Sequence, residues 1–351
     1  MPSRRRLLAA APLAAALALG ACSTGPTTES SGGAGSAEPT VAADAFPVTL
    51  EHAYGETTVE EQPTRIATVG WADADTLAAL GIVPVGAPEI TWGGNDAGST
   101  DWFDAQVEEL GADASGMTRY DDSAGIPFED IAATTPDLIL GLSSGVSEED
   151  YDRLSQIAPT VPWTEAAWGT PWQEQVEVIG EAVGMSEQAE QLRADTEQLI
   201  TDAVAANPEI EGTSAAWAWF TPTDLSTIGL YTTSDLRPQM LEEFGFEPSP
   251  TVVELSEQDP SAFTANLSAE RAADLEADVV VFYAEEGAGA EELTANPLVG
   301  QIPALQDGHY VASADNAVAL SMSLPSPLSV RTAVDDFLPK LVSAVNGEPA
   351  E

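Results

Sequence analysis

The chain has 351 residues, with 58 Asp and Glu against 11 Lys and Arg, and a formal net charge of −47. Nucleic acids and anionic membranes are bound through clustered basic side chains, so this balance argues against both as electrostatic partners. Because 44% of the residues are hydrophobic, the chain can bury a sizeable core, and its length predicts about two domains rather than a disordered acidic tail.

Residues 1–21 have the organisation of an export signal. Three arginines, Arg4 to Arg6, precede an apolar run of Ala and Leu over residues 7–19, and two small residues follow it. The run is shorter than the roughly 20 residues that cross a bilayer as a helix, which predicts a cleaved signal peptide. Residues 3–8 also match the twin-arginine pattern in part, so the sequence leaves the export route open.

The sole cysteine, Cys22, comes directly after the signal. Leu19-Gly20-Ala21-Cys22 resembles the bacterial lipobox, in which the cysteine is acylated and becomes the new N-terminus; a free thiol is the alternative. Residues 22–45 are rich in Ser, Thr, Gly, Pro, Ala and Glu, the composition of a flexible tether. We therefore expect an exported protein, held on the outer face of the cytoplasmic membrane by its lipid anchor only.

From residue 46 onward, short apolar runs alternate with helical patterns, which predicts βαβ units and parallel sheets. For residues 46–170 the predicted strands are 65–69, 82–86, 137–140 and 160–161, and the predicted helices are 73–80, 128–134 and 151–157. These elements predict an N-terminal α/β lobe.

A long helical pattern over residues 171–207 links this lobe to a second one. Its apolar residues Trp172, Val176, Ile179 and Val183 recur at helical spacing, and Gly184 is expected to break or bend the helix. Over residues 208–346 the predicted strands are 215–220, 279–282 and 309–311, and the predicted helices are 236–244, 268–275 and 326–345. The predicted fold class is α/β, with two Rossmann-like lobes joined by a single long α-helix.

Several segments resemble the ferric-siderophore and cobalamin class of solute-binding proteins of ABC importers. Their order and spacing carry the resemblance, which covers residues 50–345. The segments are residues 65–86, 128–140, 154–161 and 296–311. The resemblance implies rigid lobes with limited hinge motion, a ligand in the cleft between them, delivery to an importer permease dimer, and no enzymatic activity. We expect a monomer.

The same resemblance suggests how the importer is contacted. Members of the family dock through one Glu on each lobe, which pairs with Arg on the permease, and the matching positions are Glu129 and Glu270. Carboxylate–guanidinium pairs are bidentate and directional, so two separated pairs would set register as well as affinity. The alternative is that each is an acid at a helix N-terminus, favoured there by the helix dipole.

A ferric siderophore has a broad, partly apolar surface and brings its own coordinated iron. Its binding protein needs aromatic walls and a few Arg or Tyr donors, and neither metal ligands nor a cofactor of its own. The candidate ligand contacts are Trp71, Arg119, Trp168, Trp219, Tyr231, Arg237 and Tyr283. Ordinary packing, or a salt-bridged face for the arginines, is the alternative for each.

Other ligands and another class of protein stay open. Cobalamin, haem or another metal chelate would suit the same fold, whereas scarce Lys and Arg argue against highly anionic catecholates and favour a hydroxamate. A free metal ion would need several His, and the chain has only His52 and His309. A secreted hydrolase is the remote alternative, since residues 141–145 match Gly-x-Ser-x-Gly and His309 lies downstream.

Overall fold

The computed structural model describes residues 41–112, 114–221, 223–284 and 289–351. The predicted signal peptide, Cys22 and most of the predicted tether lie outside the described residues. Within these ranges, no helix combines the length and the apolar character that crossing a membrane requires.

The N-terminal lobe is built on a parallel sheet. An antiparallel hairpin of β1 (Val48–His52) and β2 (Gly55–Val59) precedes it. The sheet has the order β5–β4–β3–β6–β7, formed by β3 (Ile66–Thr68), β4 (Gly86–Pro88), β5 (Thr118–Tyr120), β6 (Leu138–Gly141) and β7 (Thr160–Pro162). Its helices are α1 (Asp73–Ala79), α2 (Asp101–Glu109), α3 (Phe128–Ala133) and α4 (Glu148–Leu154).

Both faces of this sheet are covered. In β6, Leu138 and Leu140 join one apolar cluster, while Ile139 joins another on the opposite face. Alternating side chains of a strand point to opposite faces, so a strand buried on both sides reads as a continuous apolar run. This is the reason that the run Leu138-Ile139-Leu140 predicts its strand correctly.

Two helices connect the lobes. They are α5 (Trp172–Ala182) and α6 (Ser186–Ala206), and the expected interruption occurs at Gly184, whose φ is +73°. A left-handed φ favours glycine, because an L side chain is strained there. The apolar face of α5 packs into the core that both lobes share, with Trp172, Val176 and Ile179 buried.

The C-terminal lobe contains a mixed sheet. Its order is β11–β9–β8–β12–β13, and the short β10 pairs with the start of β8. The strands are β8 (Ser214–Thr221), β9 (Asp224–Tyr231), β10 (Glu247–Pro248), β11 (Thr264–Ser268), β12 (Val279–Tyr283) and β13 (Tyr310–Ser313). The pairs β8–β9 and β9–β11 are antiparallel and the other pairs are parallel.

Several α-helices complete the described part of this lobe. They are α7 (Leu236–Glu243), α8 (Pro250–Gln258), α9 (Gly289–Ala295), α10 (Pro303–Asp307), α11 (Asn316–Ser323), α12 (Ser329–Thr332) and α13 (Leu338–Val345). A π-helical segment, Ala333–Phe337, joins α12 to α13. The closing helix predicted over residues 326–345 begins at Ser329, three residues later than expected.

Three further predicted elements differ from the observed ones. The strand predicted at 82–86 begins only at Gly86, since Pro84 has no N–H to donate to a ladder. Helix α4 begins at Glu148 because the Ser147 hydroxyl caps it by accepting from the Asp150 N–H. The helix predicted at 268–275 is a 3₁₀ turn, Ala269–Asp274, directly after β11.

A buried carboxylate connects the two lobes beside α1. Asp75 accepts hydrogen bonds from the Trp102 indole N–H (2.7 Å) and from the Ser326 hydroxyl (2.9 Å), and Ser326 lies just before α12. Burial raises the pKa of Asp75 to about 6, although both hydrogen bonds and the charge of Arg119 act in the opposite direction. Asp75 thus carries a proton in the folded protein at a pH where the unfolded chain has lost it.

Because the folded pKa of Asp75 exceeds the unfolded value of 3.8, the contribution of this group to stability falls as pH rises from about 4 to about 6. Asp75→Asn removes this titration. The free energy of unfolding of the variant, relative to wild type, should therefore increase by about 2.4 kcal/mol between pH 4 and pH 7.5, as measured by urea denaturation.

The matched control is Asp152→Asn, at an exposed position of α4. Its difference from wild type should be the same at both pH values. A constant difference for Asp75→Asn as well would mean that this carboxyl titrates alike in the folded and unfolded chains.

Candidate ligand-binding cleft

A cavity of about 420 Å³ lies between the lobes. This volume is within the range of small-molecule sites, and aromatic side chains from both lobes form much of its wall. The lining residues are Trp71, Trp92 and Trp168 from the N-terminal lobe, and Tyr231, Asp235, Arg237, Phe263, Thr264, Leu320, Ser323 and Leu324 from the C-terminal lobe.

The topology of the N-terminal sheet explains why its three indoles meet. Trp71 comes three residues after β3, Trp92 follows β4, and Trp168 lies between β7 and α5. In α/β sheets, ligands bind outside the carboxyl ends of the parallel strands, where the connecting loops are free to carry functional side chains. Tyr231, from the C-terminal lobe, is the last residue of β9, which runs antiparallel to β8 and so does not follow this rule.

Arg237 is the cation of the cavity wall, and several groups fix its orientation. Its Nη1 donates to both carboxylate oxygens of Asp235 (3.0 and 2.8 Å), and its Nε donates to the Tyr283 hydroxyl (2.6 Å). The guanidinium carbon lies 4.1 Å from the centroid of the Tyr231 ring. The hydrogen bonds among the described residues engage Nε and Nη1 of Arg237, and none of them involves Nη2.

The electrostatics keep this arginine charged. Burial alone would lower the pKa of Arg237, but Asp235 and the two tyrosines raise it overall. Burial also raises the pKa of Asp235, against the stabilising effect of Arg237. The ion pair places one positive and one negative group in the wall, so its net charge is close to zero.

The tyrosines beside Arg237 differ in position. Tyr231 lines the cavity, and burial raises its pKa to about 12, which keeps the phenol protonated and able to donate. Tyr283 lies behind Arg237, and its hydroxyl is 3.1 Å from that of Ser323. Its ring meets Trp92 edge-on at 5.5 Å between centroids. Tyr283 therefore supports the wall rather than forming it.

Two tryptophans predicted as ligand contacts are held on the N-terminal wall. The Trp71 indole N–H donates to Asp122 (3.0 Å), which fixes the plane of the ring. Trp168 is 43% exposed and has a φ of +60°, a left-handed conformation that is rare for a bulky residue. Such an exposed and strained aromatic residue is typical of a ligand-binding wall.

The structure places two other predicted contacts away from this wall. The Arg119 guanidinium donates to the Pro88 carbonyl (3.2 Å) and the Ser99 hydroxyl (2.6 Å), and so holds the loop after β4. Trp219 covers Gly229 on the adjacent strand, where a Cβ would lie 2.0 Å from the indole. Each thus has a packing role in the structure.

Sequence reasoning did not select several of the lining residues. Trp92 had the same signal as Trp71, an indole in a loop after a predicted strand, and could have been chosen. Asp235 could have been found as the cap of α7, where it accepts from the Arg237 N–H (2.9 Å). Phe263 precedes β11, a strand that the sequence analysis does not predict, so its place in the wall had no local signal.

The two predicted docking acids lie on the surface of separate lobes. Glu129 is exposed in the first turn of α3, and Glu270 is exposed in the 3₁₀ turn after β11. Neither takes part in an ion pair with any residue that the structure describes. Both are thus accessible to an external partner.

Ser143, the central residue of the Gly-x-Ser-x-Gly match, is buried and fully engaged. Its hydroxyl donates to Asp73 (2.8 Å) and accepts from the Ala72 N–H (2.8 Å). The two histidines are bound elsewhere, His52 to the Thr57 hydroxyl (2.9 Å) and His309 to the Ala344 carbonyl (2.8 Å). The serine therefore has a carboxylate partner but no histidine to accept its proton, unlike a catalytic triad.

Comparisons with known proteins agree with this architecture. The chain is similar to the probable siderophore-binding lipoprotein YfiY of Bacillus subtilis, with 26% identity over 246 residues that cover 70% of this chain and 71% of the relative. It is also similar to the ferric enterobactin-binding periplasmic protein FepB of Escherichia coli, with 27% identity over 285 residues that cover 76% and 84%.

A solved structure and a family model give the same assignment. PiaA of Streptococcus pneumoniae in complex with ferrichrome superposes with a TM-score of 0.79 and 32% identity, covering 86% of this chain and 99% of that one. The model of the periplasmic binding protein family matches residues 66–316, from the first strand of the N-terminal sheet to the start of α11. The chain therefore belongs to the periplasmic binding protein family.

Proposed function

We propose that this protein captures a ferric siderophore in the cleft between its lobes and delivers it to an ABC importer, while a lipid at Cys22 anchors it outside the cytoplasmic membrane. The observation that carries the proposal is the cavity itself. Three indoles from one lobe face Arg237 and Tyr231 from the other, in about 420 Å³. Broad apolar walls with a few fixed donors suit a bulky chelate whose iron is already coordinated.

The charge of the cavity supports a hydroxamate ligand. Ferric hydroxamates carry little or no net charge, whereas ferric catecholates are highly anionic. The lining has one cation, Arg237, and its charge is balanced by Asp235. An anionic chelate would be buried there without compensating cations, which is costly. Ferrichrome, the ligand in the PiaA structure, belongs to the class that this wall favours.

The remaining donors fit the same ligand. The oxygens that surround the iron of a hydroxamate complex accept hydrogen bonds, and the cavity supplies the Nη2 of Arg237 and the Tyr231 phenol. The aromatic rings contact the apolar part of the chelate. The iron stays with its siderophore throughout, and the protein acts as a binding partner rather than as a catalyst.

Titration with ferrichrome should quench the tryptophan fluorescence of the purified protein, because indoles line the cavity and a ferric chelate absorbs their emission. We expect a dissociation constant in the sub-micromolar to micromolar range. Ferric enterobactin, cobalamin and haem serve as the comparison ligands and should bind more weakly. Quenching by none of the ferric siderophores would overturn the proposed function.

A double variant tests whether the ligand binds in this cavity. Asp235→Asn with Arg237→Gln removes both charges together and leaves no unpaired carboxylate, so the fold should persist. Its dissociation constant for ferrichrome should rise at least about tenfold, since a hydrogen bond from a charged donor is lost. Arg153→Gln, on the exposed face of α4, is the control and should leave the affinity unchanged.

Variants of the two docking acids, Glu129 and Glu270, test transport separately from ligand binding. Glu129→Ala with Glu270→Ala should reduce uptake of radiolabelled ferrichrome at least about tenfold in cells that carry the cognate importer, because two directional carboxylate–guanidinium pairs are lost. The dissociation constant for ferrichrome should stay within about twofold of wild type. Glu149→Ala with Glu257→Ala, also exposed and one on each lobe, is the matched control. Loss of ligand affinity would instead place the docking acids in the binding function.

Cys22→Ser tests the lipid anchor. A serine cannot form the thioether that carries the lipid, so radiolabelled palmitate should no longer be incorporated and the protein should leave the membrane fraction. Ferrichrome binding by the released protein should match that of wild type. Labelling that persists in the variant would contradict acylation at Cys22.

A further inference from the structure

The loop between β6 and α4 lies behind two of the cleft indoles. The backbone N–H of Trp71 donates to the Ser143 carbonyl (3.2 Å), and the backbone N–H of Trp168 donates to the Ser144 carbonyl (2.9 Å). Two tryptophans from distant parts of the chain are thus attached to consecutive peptide units. Any movement of this loop would move both indoles of the N-terminal wall.

A buried carboxylate fixes the loop. Asp73, at the start of α1, has no exposed surface and accepts from the N–H groups of Leu142 and Ser143 (3.0 Å each). It also accepts from the Ser143 hydroxyl, which in turn accepts from the Ala72 N–H. Hydrogen bonds to a buried carboxylate are strong and costly to lose, so the loop has one favoured position relative to α1.

Gly145 provides the backbone surface against which the exposed Trp168 indole packs. A Cβ at Gly145 would lie 2.3 Å from Nε1 of Trp168, closer than real Cβ contacts occur, and 3.0 Å from its Cε2. The backbone of Gly145 is not left-handed, so the indole, and not the local conformation, requires glycine here. Trp168 itself has the left-handed φ that brings its ring down onto this surface.

We infer that Gly145, together with the Asp73–Ser143 pair, positions Trp71 and Trp168 for ligand recognition, although none of the three lines the cavity. This rests on the proposed function for its ligand and extends it to residues behind the wall. An indole packed against a flat backbone loses its rotational freedom before the ligand arrives, which reduces the entropy cost of binding. The affinity for the ligand then depends on Gly145 as well as on the Trp168 ring.

Gly145→Ala tests whether Gly145 positions the Trp168 ring. The added methyl group displaces the Trp168 ring, and the dissociation constant for ferrichrome should rise by about tenfold, the size of a lost aromatic contact at a binding site. Gly145 is exposed, so the fold is not at risk. Gly116→Ala is the matched control, because a Cβ there meets open space, and it should leave the affinity unchanged.

A double-mutant cycle distinguishes positioning from a general structural role. In a Trp168→Ala background, Gly145→Ala should change the dissociation constant by less than about twofold, since the ring on which it acts is gone. An equal loss of affinity in both backgrounds, or no loss in either, would overturn the inference.

A measurement without ligand keeps this test separate from the proposed function. The indole N–H cross-peak of Trp168 in a ¹H–¹⁵N spectrum is assigned by its absence in Trp168→Ala, and Gly145→Ala should shift it. Ser143→Ala, which removes the hydroxyl that bridges Asp73 and the Ala72 N–H, should shift the cross-peaks of both Trp71 and Trp168. If no siderophore binds, these shifts still establish the positioning, whereas unchanged cross-peaks would overturn it.

Discussion

The arrangement of the cleft depends on one hydrophobic core that both lobes share. It runs from Ile66 and Leu140 in the N-terminal sheet, through Trp172 and Ile179 of α5, to Trp217, Val281 and Phe337 of the C-terminal lobe. The α5–α6 pair is close, since a Cβ at Gly180 would lie 2.2 Å from that of Ala189, and the Trp172 indole donates to Glu243 of α7. Because close-packed interiors resist deformation, this core sets the distance between the carboxyl ends of the two sheets.

The protein as a whole is strongly acidic, whereas binding an anion calls for basic side chains. Acids outnumber basic residues by 58 to 11, yet the wall contains a balanced pair, Arg237 and Asp235. Arg65 and Arg119 are occupied with backbone carbonyls, and Arg153 lies over the Phe128 ring. An acidic surface repels anionic chelates within about a Debye length of 8 Å, while a chelate of low charge approaches freely. The surface and the wall thus favour the same class of ligand.

Much of the fold could be predicted because its signals are local. Continuous apolar runs mark β6 and β12, helical spacing marks α5, and indoles next to strand ends mark Trp71 and Trp168. The antiparallel strand β9 has no such signal, since residues 224–231 mix polar and apolar side chains without a clear period. The family resemblance suggests Arg119 as a ligand contact in a loop, but it lies in β5, and its partners Pro88 and Ser99 come from another part of the chain. Contacts of this kind depend on tertiary packing, which local patterns do not encode.

Residues 141–145 show that a local sequence pattern does not determine function either. Their letters match a nucleophile elbow, and the loop does follow a parallel strand, as an elbow must. What decides the chemistry is the partner of the serine. A histidine beside Ser143 would accept its proton; the buried carboxylate of Asp73 instead holds the hydroxyl as a donor and uses it to fix the backbone. The two glycines then have different reasons to be present, since a Cβ at Gly141 would meet Val69, while one at Gly145 would meet Trp168. The same five residue types therefore serve either catalysis or the placement of a binding wall, according to the group that the fold brings to the serine.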